Sequence, residues 1–284
     1  MIIGLGAPYQ RDRARVRREF DEYPLVPETD RRDEVLALSY PREEDLLGEY
    51  ASYVGVLERY GVEVLRADPG AAYSFDYTCP RDIGFVVRDQ FYIANMAVQS
   101  RAQEIETIQH HLEDVDPARV HRPPAGALLE GGDVVWLAPD TLLVGINRRS
   151  NAAGAHFLKQ RLATDGIEVL AVKHRCLHLD CCLNPLGGGE LLIHPASLSG
   201  NEPQLWERLE QHLWLEVDGV EREHLVTNVL SIAPSTVLAR DHPACTRVND
   251  LLRARGYQVE AIQFDGVPAT GGSFRCASLP LLRR

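Results

Sequence analysis

The feature that most limits what this sequence can fold into is a recurrence of roughly 50 residues. Three segments read as the end of an amphipathic helix, a glycine stop and a short strand. Leu57-Glu58-Arg59-Tyr60-Gly61 runs into Val62-Glu63-Val64-Leu65. Leu162-Ala163-Thr164-Asp165-Gly166 runs into Ile167-Glu168-Val169-Leu170, and Leu252-Arg253-Ala254-Arg255-Gly256 into Tyr257-Gln258-Val259-Glu260. Glycine after a helix is the usual left-handed C-cap, and the alternation that follows is strand-like. Two further helices are expected in the gaps. One runs from about Ala97 to Leu112, with Ile105, Ile108 and Leu112 on one face; the other runs from about Gln204 to Leu213, with Leu205, Leu209 and Leu213 at i, i+4 and i+8. Helix ends then fall near residues 61, 112, 166, 213 and 256. This rhythm fits stacked or radial α/β units. It fits equally a doubly wound α/β sheet, which also alternates helix and strand. No glycine pattern of the dinucleotide or P-loop type is present.

A chain of 284 residues, 45% hydrophobic and 25% charged, can bury a full core without disulfides or metals. No low-complexity stretch or linker divides it, so residues 1–284 are expected to form a single domain. A membrane span is not expected, because no run of about 18 uncharged apolar residues occurs. Met1-Ile2-Ile3-Gly4-Leu5-Gly6, leading to Arg11-Asp12-Arg13, lacks the basic and apolar regions of a signal peptide. Thirty Lys and Arg against 41 Asp and Glu leave a formal charge of −11, which argues against nucleic acid and suits a cationic small molecule. The six cysteines are Cys79, Cys176, Cys181, Cys182, Cys245 and Cys276. Reduced thiols in a cytoplasm are the expectation, with at least one open to a nucleophilic role. Self-association into a homo-oligomer is left open.

Four stretches could carry chemistry. His174-Arg175-Cys176-Leu177-His178-Leu179-Asp180-Cys181-Cys182, if extended, puts His174, Cys176, His178, Asp180 and Cys182 on one face. That face is open to three readings: a solvated strand face, a zinc site lacking paired CxxC spacing, or His178 and Asp180 side by side in a cleft. Leu129-Glu130-Gly131-Gly132-Asp133 sets two carboxylates around a Gly-Gly pair, either a turn entering a strand or a close approach to a ligand or another segment. Gly271-Gly272-Ser273-Phe274-Arg275-Cys276 offers a presented nucleophile or a buried small thiol. Cys79-Pro80-Arg81-Asp82 reads alone as a surface turn with a local ion pair.

In this order, R-D, E-G-G-D, H-x-D and a late Cys behind Gly-Gly, the four stretches resemble the guanidino-group-modifying superfamily of arginine deiminases, dimethylarginine dimethylaminohydrolases and amidinotransferases. The resemblance spans about Asp76 to Leu281. It implies an α/β fold, the five-bladed α/β propeller of ββαβ units with pseudo-five-fold symmetry called a pentein, which agrees with the rhythm. It also implies site roles. Cys276 is the nucleophile and His178 the general acid and base. Glu130, Asp82 and Asp180 are the carboxylates that grip the guanidinium, with Glu130 counted in the catalytic set. Arg149, in Asn147-Arg148-Arg149-Ser150-Asn151, and Arg101 resemble residues that bind a substrate carboxylate. Asp76 stands where some members have a substrate-binding Asn, and Ser150 replaces a Thr.

The chemistry explains these residue types. A guanidinium is planar, delocalised and always charged, so carboxylates in paired geometry fix it. A thiolate attacks its carbon, an imidazolium protonates the departing amine, and the same imidazole then activates water. No metal or other cofactor is expected. The ending Cys276-Ala277-Ser278-Leu279-Pro280-Leu281 resembles that of deiminases, and the chain lacks room for the helical insert of long arginine deiminases. A hydrolase of a small guanidino compound is therefore expected over an amidinotransferase, with a binding protein on the same fold or a zinc-stapled module as alternatives of another class.

Overall fold

The computed structural model describes residues 2–3, 43–67, 78–113, 115–269 and 271–281. Strand β1 (Ile2–Ile3) and helix α1 (Glu43–Arg59) lead to β2 (Leu65–Arg66). A second set follows, β3 (Gly84–Val87), β4 (Gln90–Ile93), α2 (Gln109–Leu112) and β5 (Val120–His121). The next is β6 (Val134–Ala138), β7 (Thr141–Ile146), α3 (Ala152–Leu162) and β8 (Glu168–Lys173). Then come β9 (Leu183–Pro185), β10 (Glu190–Ile193), α4 (Pro203–Leu209), β11 (Leu213–Glu216) and the short α5 (Gly219–Glu223). The chain closes with β12 (Leu230–Ala233), β13 (Thr236–Arg240), α6 (Thr246–Ala254), β14 (Gln258–Ile262), α7 (Gly266–Ala269) and β15 (Ser278–Leu279).

One pairing scheme repeats through these elements. A first strand lies antiparallel to a second, a helical crossover follows, and a third strand pairs parallel to the second. The same scheme holds for β9–β11 and β12–β14. A parallel partner requires such a crossover, because a two-residue hairpin reverses direction. The fifth sheet has the same pattern but draws on both ends of the chain: β15 is antiparallel to β1, which is parallel to β2. Among the described residues, five separate three-stranded mixed sheets replace the single parallel sheet of the doubly wound alternative.

The glycine stops act as read. Gly61, Gly166 and Gly256 have φ of 72°, 68° and 88°, the left-handed region in which a side chain is strained. The two inferred helices are shorter than expected. Of residues 97–112 only α2 is α-helical; Gln99–Arg101 and Glu104–Ile108 are 3-10 turns. Arg101 and Glu104 are both buried there as an ion pair, and that inward polar contact overrides the apolar stripe of Ile105, Ile108 and Leu112. The Leu205–Leu209–Leu213 stripe breaks after α4, where Leu213 starts β11 and is exposed while the two preceding leucines are buried.

Apolar packing joins each sheet to the next. Phe85 and Tyr92 pack with Leu142, Val144 and Leu158; Val135 and Leu143 with Leu183, Leu191 and Leu209. Leu192 and Leu215 meet Val237 and Val248, and Leu230 and Leu238 meet Tyr53 and Leu57. A fifth cluster brings Leu279 and Ala67 against Ile83 and Phe91, so the unit built from both chain ends packs on the β3–β5 unit. Burying a side chain of this size contributes roughly 1.5–3 kcal/mol. No described helix is long and apolar enough to cross a membrane.

Candidate active site

The first strand of every unit is entered from a short turn, and these turns carry the candidate site. Asp82 precedes β3, Glu130 precedes β6, His178 and Asp180 precede β9, Asn228 precedes β12 and Cys276 precedes β15. Residues 82, 130, 180, 228 and 276 are spaced 48, 50, 48 and 48 apart. Hydrogen bonds tie the turns into a closed ring. Gly131 N–H donates to the Asp82 carbonyl (3.0 Å), and Leu179 N–H to Asp133 Oδ1 (2.9 Å). Asn228 Nδ2 donates to the Asp180 carbonyl (3.2 Å), and Asn228 Oδ1 accepts from Cys276 N–H (3.1 Å). Arg81 N–H donates to the Cys276 carbonyl (3.1 Å) and closes the circuit.

The Gly-Gly pair is what lets the second turn approach so closely. A Cβ on Gly132 would lie 2.7 Å from His178 Cγ and 2.8 Å from Asp82 Oδ1, inside contact distance of both. The imidazole is consequently wedged between two carboxylates. His178 Nε2 is 2.7 Å from Glu130 Oε2, and Nδ1 is 3.5 Å from Asp82 Oδ1. Burial alone would disfavour the charged ring, but the charge of Asp82, the hydrogen bond it donates to Glu130 and the charge of Asp133 raise its pKa to about 10. Burial also pushes Glu130 toward its neutral form; Arg149 and His178 outweigh it and hold the carboxyl down at about 2. Asp82 is raised by burial, against the pull of His178 and Arg101. Its Oδ1 is buried and makes no hydrogen bond among the described residues, leaving an acceptor aimed at the site.

Cys276 is 2% exposed and lies 3.9 Å from Asp180 Oδ1. Hydrogen bonds from Cys181 and Cys79 lower its thiol pKa well below the usual value, in spite of burial, and the charge of His178 adds to them. Asp180 moves the other way: burial and then the Cys276 charge raise it, while Arg275, 3.2 Å away, pulls it down. The arrangement is that of an activated thiol beside an acid able to donate a proton.

Arg101 and Arg149 reach the same centre. Arg101 Nη1 donates to Asp82 Oδ2 (2.8 Å), and its Nε and Nη2 form a fork on Glu104 (2.9 and 2.8 Å). Arg149 Nε donates to Glu130 Oε2 (3.0 Å). Both guanidinium groups thus rest on protein carboxylates. Asp76 lies outside the described residues. Two readings from sequence are corrected. Residues 174–182 are not a strand with a polar face: β8 ends at Lys173, and Leu179–Cys181 form a 3-10 turn in which Leu179, Asp180 and Cys181 are all buried. Arg81 and Asp82 are not an exposed local ion pair: both are buried, Arg81 Nε donates to the Arg275 carbonyl, and Asp82 faces Arg101 and His178.

Among the described residues, two trios bring metal-ligand types within 4.8 Å, Asp82–Glu130–His178 and Asp180–Cys181–Cys276. In the first, an imidazole with a pKa of about 10 offers protons on both nitrogens rather than a lone pair, so it suits proton transfer. Asn228 escaped the reading of the sequence. The signal was there: three turns are 48 and 50 residues apart, then a gap of 96 separates Asp180 from Cys276, and Asn228 falls at its midpoint. Glu104 and the bracing role of Asp133 were also missed, and neither has a spacing that marks it.

The chain matches the family model "N,N dimethylarginine dimethylhydrolase, eukaryotic" over residues 37–283. It is 32% identical over 206 residues to the uncharacterized protein YkgA of Bacillus subtilis (strain 168), covering 72% of this chain and 68% of that protein. It is 26% identical over 241 residues to the arginine deiminase of Rhodococcus erythropolis (strain PR4 / NBRC 100887), covering 72% of this chain and spanning only 59% of the length of that relative. Among solved structures, DDAH from Pseudomonas aeruginosa complexed with citrulline has a TM-score of 0.74 at 21% identity, covering 84% of this chain and 89% of that one. An amidinotransferase from Microseira wollei has a TM-score of 0.75 at 19% identity, covering 100% and 94%. The chain belongs to the N,N dimethylarginine dimethylhydrolase family, within the guanidino-group-modifying enzymes of the pentein fold.

Proposed function

We propose that this protein hydrolyses a guanidino compound, arginine or an N-methylated arginine, through a covalent thiouronium on Cys276. The observation that carries this reading is the ring of turns that brings to one centre a depressed thiol, an imidazolium held by Glu130, and a buried Asp82 oxygen that makes no hydrogen bond among the described residues. In this reading Asp82 and Asp180 accept N–H bonds from the substrate guanidinium. Arrival of that cation favours the ionised forms of Asp180 and Cys276 together. The Cys276 thiolate attacks the guanidinium carbon. Protonated His178 delivers its proton to the departing ammonia or amine as the C–N bond breaks. Neutral His178, held by Glu130, then takes a proton from water, which adds to the thiouronium carbon. Collapse releases the ureido product and restores the thiolate.

Arg149 and Arg101 keep Glu130 and Asp82 in place in this scheme, and the carboxylate of an arginine-like substrate is the group that would draw on their remaining charge. Asp76 is assigned to the same tail. We read residues 1–284 as one domain, a five-bladed propeller of ββαβ units with pseudo-five-fold symmetry. The five equivalent sheets and five inter-sheet clusters support that reading.

The similarity to an amidinotransferase over the full chain supports a second reading, in which an amine rather than water discharges the intermediate. A panel of arginine, N-methylated arginines, agmatine and guanidino acids, assayed for ureido product and ammonia, tests the proposal. Continuous turnover with one substrate alone is expected. A single burst that resumes only when glycine or ornithine is added would establish the transferase instead.

A further inference from the structure

Hydrolysis needs one sulfur, and the site holds three. Cys276 Sγ, Cys181 Sγ and an Asp180 carboxylate oxygen lie within 4.8 Å of one another. Asp180 Oδ1 is 3.7 Å from Cys181 Sγ and 3.9 Å from Cys276 Sγ. Cys79 is also close. A methyl on Gly272 would fall 2.5 Å from Cys79 Sγ and 3.6 Å from Cys276 Sγ, so the bare glycine leaves room for both sulfurs. None of the three is in a disulfide and all are buried. An activated thiolate beside a second thiol is the arrangement of a redox-sensitive cysteine with a resolving partner.

We propose that Cys181 is a resolving cysteine for Cys276, so that hydrogen peroxide converts the pair into a reversible Cys276–Cys181 disulfide. The Cys276 thiolate attacks one peroxide oxygen; the S–O bond forms, the O–O bond breaks, and hydroxide leaves, becoming water on protonation. The Cys181 thiol then attacks the Cys276 sulfur. The S–S bond forms, the S–O bond breaks, and the hydroxyl departs as water with the proton from Cys181. Two thiols lose two electrons, and the peroxide is reduced to two waters. Asp180 stands beside both sulfurs and can carry the Cys181 proton to the leaving oxygen. The two sulfurs, within 4.8 Å of one another, must close to about 2 Å for the bond to form. Capture by Cys181 spares Cys276 the irreversible step to sulfinic acid. The bond rests on the sulfur geometry alone; the loss of turnover that accompanies it rests on the reading of Cys276 as nucleophile.

The test treats reduced full-length protein with a small excess of hydrogen peroxide and follows intact mass, peptide mapping and guanidino turnover. Wild type should become about 2 Da lighter, yield a cross-linked peptide pair containing residues 181 and 276, and regain its mass with dithiothreitol. Cys181→Ser should instead gain about 32 Da at Cys276, and dithiothreitol should not reverse it. Cys79→Ser should still form the cross-link. Sulfinic acid in wild type without a 181–276 cross-link, or a lighter species that persists in Cys181→Ser, overturns the proposal. Should Cys181→Ser not fold, the wild-type cross-link map decides alone. If the bond forms and turnover is undiminished, the disulfide stands and the nucleophile assignment falls.

Discussion

Cys245 and Cys276 are equally hidden from solvent, each 2% exposed, and their thiols are tuned in opposite directions. Cys245 sits at the N-terminus of α6 among Val248, Leu252 and Val237, where burial pushes its pKa up to about 11. Cys276 sits in a turn of the ring, where two neighbouring thiols and then His178 pull it well down against that same burial. Burial by itself makes an inert sulfur, and placed polar neighbours make a reactive one. Ion pairs divide in the same way. Arg208 and Glu168 meet at 2.9 Å with 46% and 44% of their side chains exposed, whereas His178 and Glu130 meet at 2.7 Å with 1% and 0%. An exposed pair contributes about 0–1 kcal/mol, while removing one partner of a buried pair leaves an uncompensated charge and costs several times more.

The largest break in this comparison comes from the two cysteines themselves. Cys276→Ser should abolish turnover, a loss of more than about 1,000-fold, because a hydroxyl has neither the acidity nor the softness of the thiol. Cys245→Ser should change stability by about 1–2 kcal/mol and leave kcat/KM within roughly threefold. Steady-state kinetics and thermal melts of the two variants check both statements. His178→Ala, Glu130→Gln, Asp82→Asn and Asp180→Asn come next, each with a kcat/KM lower by about 100-fold or more, since in the proposed cycle each removes a proton carrier or a grip on the cation. Near-normal kinetics in the three carboxylate variants would move the guanidinium site elsewhere.

The His178–Glu130 pair also predicts a stability profile. His178 is raised from an ordinary 6.5 to about 10, so its contribution is complete below pH 6.5 and is lost as pH rises through about 10. Glu130 is lowered from 4.5 to about 2, so its contribution is present above pH 4.5 and is lost as pH falls through about 2. Thermal melts should peak within that window, and His178→Gln should flatten the alkaline limb. Asn228→Ala ranks below the charged groups. It leaves the Asp180 carbonyl and Cys276 N–H without their partner, and should lower kcat by about 10-fold with little change in KM. Glu168→Gln is the smallest, at or below about 0.5 kcal/mol in a denaturant melt and silent in kinetics.

Much of this ring was legible because its members punctuate the sequence. Gly131-Gly132, Gly271-Gly272 and the glycine stops mark where backbone turns or must come close, and the ionisable residues beside them are few. Asn228 was not, because an amide flanked by Thr227 and Val229 carries no local mark; only the spacing of its four counterparts identifies it. The 97–112 segment misled for a physical reason. Ile105, Ile108 and Leu112 have helical spacing, but Arg101 turns inward to reach Asp82 and Glu104 turns inward to pair with Arg101, and pattern reading counts both as a solvent face. The pairing of β15 with β1 is invisible to local periodicity, since it joins residues more than 270 positions apart. Nor could spacing foresee that Arg149 and Arg101 rest on Glu130, Asp82 and Glu104.

In the proposed cycle the Cys276 thiolate forms a covalent bond to a guanidino carbon and surrenders it to water. Acid-quenching wild-type protein during turnover of arginine or an N-methylated arginine, followed by intact mass and peptide mapping, tests it directly. The expected result is a transient adduct confined to the peptide carrying Cys276, decaying as ureido product accumulates without added amine. Continuous ureido product from Cys276→Ser, with no adduct on the wild-type residue, would contradict it.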